Sequence, residues 1–292
     1  MLTDAGVRTQ PVVQLFSNPA SGGYSAQRIR ALTAALEARA ARVLHTRCGS
    51  GTPVIDPQAT HVCVAGGDGT VRHVAAAVAR GKHPVAMSIY PAGTVNLIAK
   101  EAGYPAEPAL FADLVLGPGR KRQHHAVTLG ESHFFACAAV GPDSFAVATV
   151  SLPLKRRIGR FAYVVSLIRL FSRWRRHRIT LKSEDREVQC EAFYVAKGRY
   201  YAGRWSLAPL ARVDEPALHV VALTTARRLD YIRFTLGLAC GRDPKDQKGV
   251  QAFTCRTLAI SSDQPLPLQA DGDIVGEVPA VMAIADEPLV FC

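Results

Sequence analysis

The sequence predicts an α/β protein of two domains, a mostly parallel, helix-covered sheet followed by an antiparallel β-sandwich. Residues 1–120 alternate short apolar runs with amphipathic helical ones, the pattern of a parallel sheet with crossover helices. From about residue 121 the pattern becomes period-two runs separated by turn residues, which reads as antiparallel sheet. At 292 residues the chain is also longer than one core usually serves.

Val12–Phe16 is a short buried strand, and Ser25 to Val43 a long amphipathic helix opened by a serine cap. His61–Ala65 is the next strand, and Thr70–Arg80 its helix, closed by Gly81. Val85–Tyr90 follows as a strand, then Pro91-Ala92-Gly93-Thr94-Val95-Asn96 and a short helix to about Gly103. The stretch 117–121, Gly-Pro-Gly-Arg-Lys, is the natural linker and divides 1–120 from 121–292. Strand candidates beyond it are 122–130, 132–140, 177–183, 187–197, 217–224, 251–260 and 266–271, with helical patches at 155–173 and 229–240.

Composition narrows the class. Hydrophobic residues make up 48%, ordinary for a soluble globular chain, and no run reaches the ~18 apolar residues of a membrane span. The start, Met1-Leu2-Thr3-Asp4, lacks the basic-then-apolar order of a signal peptide, so a cytoplasmic protein is expected. Seven scattered cysteines without a C-x-x-C pair argue against a disulfide framework or zinc site. The net charge of +11 is concentrated, with nine Lys/Arg and no Asp/Glu between Lys155 and Arg178. Phe161, Tyr163, Leu167, Leu170, Phe171 and Trp174 interleave with those cations, as in a helix resting peripherally on the anionic inner face of a membrane. A solvated helix face is the plainer reading of the same charges. No nucleic-acid motif accompanies them, so a nucleic-acid partner is not expected.

The chemistry starts at Ala65-Gly66-Gly67-Asp68-Gly69-Thr70, where a strand gives way to a helix. Glycines let backbone N–H groups approach an anion, and the helix N-terminus adds unpaired N–H groups and a positive dipole end. Asp68 would repel a bare phosphate, which points to a divalent cation shared with it. Two similar loops lie at strand ends: Ser17-Asn18-Pro19-Ala20-Ser21-Gly22-Gly23 and Pro91–Asn96. Downstream, Ala270-Asp271-Gly272-Asp273 closes a strand of the second domain.

In this order, with Tyr200-Tyr201-Ala202-Gly203 and Ala208-Pro209 between them, the segments resemble the diacylglycerol kinase, sphingosine kinase and bacterial lipid kinase family. That family shares its nucleotide-binding core with NAD kinases, and the likeness runs over nearly the whole chain. The resemblance implies a Rossmann-like three-layer α/β nucleotide-binding domain before the sandwich. It implies transfer of the γ-phosphoryl of ATP, with Mg2+, to the hydroxyl of a lipid such as diacylglycerol. Gly66, Gly67, Asp68, Gly69 and Thr70 would line the triphosphate, with Val71 and Arg72 continuing the segment and Asp68 holding the catalytic magnesium. Asn18, Ser21 and Gly22 would face the nucleotide, with Thr46, Thr94 and Asn96 completing the site. Asp273 stands where the family more often has Glu and would be the catalytic base, with Asp271 behind it and Glu277 in reserve. Bacterial members also hold a structural magnesium, whose ligands here would be the Glu215 side chain and the carbonyls of Arg212 and Ala217. Pro216 replaces the usual glycine of that loop. A homodimer is compatible with the sequence. An NAD kinase and a catalytically silent nucleotide- or lipid-binding relative stand as alternatives.

Overall fold

The first apolar runs become four parallel strands: β1 (Val12–Ser17), β2 (Arg42–Arg47), β3 (His61–Gly66) and β4 (Ala86–Pro91). They lie in the order β2-β1-β3-β4. The computed structural model describes residues 10–49, 51–81, 85–119, 121–149 and 175–292. β1, β3 and β4 are almost wholly buried, because helices cover the sheet and both strand faces are shielded from water. Those helices are α1 (Ala26–Glu37), α2 (Asp68–Arg80), α3 (Leu97–Ala102) and α4 (Pro108–Leu116). The helix expected from Ser25 to Val43 stops at Glu37. The chain reverses at Ala40, with φ at 61°, and Arg42 enters β2 against the open edge of β1. Helix propensity in the Ala/Arg run yields there to strand pairing.

This sheet is completed from beyond the linker. β5 (Arg122–His124) and β20 (Leu289–Phe291) add at the β4 edge, β20 parallel to β4 and β5 antiparallel to β20. The buried His124 ring lies 5.2 Å from that of Phe291, joining the two added strands.

Two six-stranded antiparallel sheets form the second domain. One takes the order β10-β9-β16-β19-β6-β7, from β6 (Val127–Leu129), β7 (Ser132–Phe134), β9 (Ile179–Lys182), β10 (Glu187–Cys190), β16 (Thr257–Ser262) and β19 (Ala280–Ile284). The other takes the order β15-β14-β11-β8-β17-β18, from β8 (Cys137–Val140), β11 (Ala192–Ala196), β14 (Leu218–Leu223), β15 (Val250–Cys255), β17 (Leu266–Ala270) and β18 (Asp273–Val278). Phe134, Leu181, Val195, Leu258, Leu268 and Met282 fill the space between them. A short hairpin, β12 (Tyr200–Tyr201) with β13 (Trp205–Ser206), two helices, α5 (Pro142–Thr149) and α6 (Arg228–Ala239), and a 3-10 turn at Pro244–Asp246 complete the described elements.

Several runs that read as one strand are two. The run 132–140 breaks at Phe135-Ala136, 187–197 at Glu191 and 251–260 at Arg256, and each time the chain crosses from one sheet to the other. The run 122–130 likewise leaves β5 in the first domain and starts β6 in the second. All seven cysteines are free. No helix among the described residues is long and apolar enough to cross a membrane. Of the basic segment 155–178, residues 155–174 lie outside the described residues; Arg175, Arg176 and Arg178 are exposed, and Arg176 pairs with Glu191.

Candidate functional site

Three glycine loops meet at the carboxyl ends of β1, β3 and β4. Gly67 is the N-cap of α2 and supplies no side-chain cap, so the first-turn N–H groups of that helix lack the usual intrahelical and capping partners. A Cβ on Gly93 would stand 2.3 Å from the Gly67 Cα, and one on Gly22 would stand 2.5 Å from Thr94 Oγ1. The second and third loops therefore touch backbone to backbone at Gly67 and Gly93, where a side chain has no room, while Gly22 lies against the Thr94 side chain.

Polar side chains hold the loops in place. Asn18 Nδ2 donates to Thr70 Oγ1 at 2.9 Å, and Asn18 Oδ1 accepts from Ala20 N. Asn96, in the left-handed region at φ 58°, accepts from Gly93 N at 2.7 Å and donates back to Gly93 O at 3.0 Å. Arg28, from α1, donates to Gly23 O and Pro91 O, tying the first loop to the third. Ser21 N donates to Asn18 O, closing the first loop. Thr94 is exposed, while Thr70 is buried.

Asp68 opens α2, and its Oδ1 accepts from Ile98 N at 3.1 Å, satisfying the N-terminus of α3. Burial pushes its carboxyl up, against the hydrogen bonds from Ile98 and Leu97. A half-buried hard-oxygen donor of this kind suits a magnesium ion that completes its shell with water and substrate phosphates. Among the described residues no three His, Cys, Asp or Glu side chains gather as a metal cage. The glycine cradle, the uncapped helix and Asp68 thus fit a metal-bridged phosphate.

Asp273 reaches this cradle from the second domain. Its Oδ2 accepts from Arg72 of α2 at 2.9 Å, and a Cβ on Gly69 would come within 2.9 Å of the same oxygen. The turn that delivers it is specific: Asp271 at φ 49° and Gly272 at φ 86° are both left-handed. Asp271 is buried and accepts from the N–H groups of Phe135, Ala136 and Cys137 at 2.8–3.0 Å. Burial pushes its carboxyl up to about 6 despite those bonds. It fixes the turn, and the following residue but one carries the exposed carboxylate.

Four expected positions fall differently. Val71 is core, 1% exposed, with its N–H donating to Gly67 O, because α2 must bury that face against the sheet. Thr46 lies on β2 and accepts from Gln14 Nε2 at 3.3 Å, two strands away from β3. Glu277 is exposed four residues along β18 from Asp273, about 13 Å at strand rise. The 212–217 loop presents its carbonyls to a lysine. Lys197 Nζ donates to the carbonyls of Arg212, Val213 and Glu215 at 3.3, 2.9 and 2.6 Å. The Ala217 carbonyl is not among its acceptors, and the exposed Glu215 carboxylate lies 3.7 Å from His219 Nε2. Lys197 is wholly buried, which pushes its ammonium down to about 8. The residues at this loop do not fit a divalent cation.

One carboxylate escaped sequence reasoning. Asp143, in the first turn of α5, accepts from the hydroxyls of Tyr201 and Tyr231, and burial pushes it up to about 6. Its signal was present: like Gly67-Asp68, Gly141-Pro142-Asp143 follows a buried strand and starts a helix. Glu101 of α3 accepts from Tyr200 N at 2.6 Å, so the Tyr200–Tyr201 hairpin joins the two domains.

The sequence profile of the diacylglycerol kinase catalytic domain matches residues 12–130. That of the YegS C-terminal NAD kinase beta sandwich-like domain matches residues 136–290. A Pseudomonas aeruginosa protein named "Probable lipid kinase YegS-like" is 32% identical over 217 residues, 71% of this chain and 68% of the relative. One of the same name from Chromohalobacter salexigens is 27% identical over 223 residues, 73% of this chain and 69% of the relative. In fold, a diacylglycerol kinase from Bacillus anthracis str. Sterne superposes with a TM-score of 0.77 at 17% identity, covering 97% of this chain and 96% of that one. With both profiles seated on the two domains that meet at Asp273, the chain belongs to the YegS-like lipid kinase family, a diacylglycerol kinase catalytic domain joined to a YegS-type C-terminal sandwich.

Proposed function

We propose that this protein phosphorylates the hydroxyl of a lipid, with ATP as donor and diacylglycerol as the default acceptor. One observation carries the reading: the Asp273 carboxylate of the second domain lies beside Gly69 in the glycine turn of the first, held by Arg72 at 2.9 Å. A phosphate cradle beside a carboxylate is what in-line transfer to an alcohol requires.

In this reading the N–H groups at Gly67–Thr70 and the 18–23 and 93–96 loops hold the polyphosphate. Asp68 would hold magnesium, which would supply charge neutralisation for the transferring phosphoryl group. Asp273 takes the proton of the lipid hydroxyl as its oxygen bonds to phosphorus and the bond to the nucleotide breaks. Aspartate is one methylene shorter than glutamate; the left-handed Asp271-Gly272 turn and the Arg72 contact set where its carboxylate stands. The basic segment 155–178 would rest on the anionic inner leaflet from which the acceptor is drawn.

The test is transfer of label from γ-labelled ATP, with magnesium, to a panel of lipid alcohols in anionic mixed micelles. Diacylglycerol, sphingoid bases, ceramides and isoprenoid alcohols form the panel, with NAD in a parallel arm. A labelled lipid supports the reading and names the acceptor. Labelled NADP without labelled lipid overturns it in favour of an NAD kinase.

A further inference from the structure

The family resemblance implies a structural magnesium at the loop after Ala208-Pro209, and in this chain three carbonyls of that loop face a lysine. Lys197 follows β11, and its side chain is 0% exposed. An ammonium has three N–H donors, and the three carbonyls of Arg212, Val213 and Glu215 converge on them.

The acceptors are otherwise occupied. Arg212 O also accepts from Glu215 N, Val213 O from His125 N and Glu215 O from Ala217 N, at 3.2, 3.2 and 2.9 Å. Each carbonyl has two lone pairs, so both are engaged. The loop's carboxylates face outward: Asp214 pairs with Arg212 at 2.7 Å, and Glu215 lies against His219. A divalent cation entering here would compete for the same oxygens and meet the ammonium at close range, like charge against like charge.

We infer that the Lys197 ammonium replaces a structural divalent cation, pinning the 212–215 loop to β11. Lys197 is a positioning residue in this scheme. The chain it anchors leads straight to Tyr200 and Tyr201, which meet Glu101 and Asp143. The inference is independent of which lipid the protein phosphorylates, and of whether it phosphorylates any.

Three measurements on nucleotide-free protein test it. The wild-type unfolding temperature in excess EDTA and in excess Mg2+ is expected to differ by less than about 1 °C. Reductive methylation read by mass spectrometry is expected to leave Lys197 unmodified with or without Mg2+, while the exposed Lys182, Lys245 and Lys248 react. In Lys197→Met, amide exchange at 211–217 is expected to speed about tenfold or more, unrestored by Mg2+. A Mg2+-dependent rise of several degrees in wild type with an ion retained through dialysis overturns the inference. So does methylation of Lys197 once Mg2+ is added, or wild-type exchange in the variant. If Lys197→Met does not fold, the two wild-type measurements decide alone.

Discussion

Arg72, in the first turns of the helix after the glycine turn, holds the carboxylate of Asp273 at 2.9 Å across 201 positions of sequence. The Arg72 side chain is 11% exposed and that of Asp273 is 39% exposed, so a shielded cation holds a carboxylate that is still open to solvent. If that pairing sets the direction of the base, Arg72→Ala should lower kcat about tenfold or more. Steady-state kinetics check this; unchanged kcat would rule out a positioning role.

Asp68 caps α3 through Ile98 N, and in the proposed reading it would also hold magnesium. Asp68→Asn retains an acceptor for that N–H, so its unfolding temperature should stay near wild type while Mg2+ no longer strengthens nucleotide binding. Asp68→Ala should lose both. Titration calorimetry with and without Mg2+, beside thermal melts, separates them.

The contact between the loops makes a further prediction. Gly93→Ala places a methyl 2.3 Å from the Gly67 Cα and 2.7 Å from Asn96 Oδ1, so the backbone must shift. A loss of about 1–3 kcal/mol in stability is expected, with weakened nucleotide binding. Gly276→Ala, where nothing lies within 4 Å, is the control and should match wild type in binding.

Asp143 gives the pH dependence. Its folded carboxyl titrates near 6, against 3.8 for the ordinary group, because burial disfavours the charge. Between those values the folded chain holds more protons than the unfolded one, so this group's contribution to stability falls as pH rises. The shift of about 2 units corresponds to roughly 3 kcal/mol of stability that is present below about pH 3.8 and lost as pH rises through about 6. Asn in its place can accept from one tyrosine hydroxyl and donate to the other oxygen. The unfolding temperature of Asp143→Asn relative to wild type should therefore rise between pH 4 and pH 7; a flat difference contradicts the assignment.

The glycine loops were legible because their chemistry is local. A strand, three glycines and a helix start at 62–78 dictate a turn whatever lies elsewhere. The pairing of Asp273 with Arg72 was not legible, since nothing local says which strand end faces which loop; the resemblance implied Asp273 as the base but named no partner for its carboxylate. Alternation through Glu191 and Arg256 marks the inward residues but not the sheet they serve, because a bend that changes sheets keeps the same period. Lys197 was invisible for the opposite reason. A lysine at the end of the strand candidate 187–197, beside Gly198, carries no local sign of burial, and the returning 212–215 loop is what buries it.

The measurement that bears most directly on the joined site is phosphoryl transfer to diacylglycerol by wild type and Asp273→Asn, with ATP affinity determined on the same samples. Loss of about 100-fold or more in kcat with ATP affinity unchanged is the predicted result. Equal rates in the two proteins, or a lost rate explained wholly by lost ATP binding, would contradict Asp273 as the base.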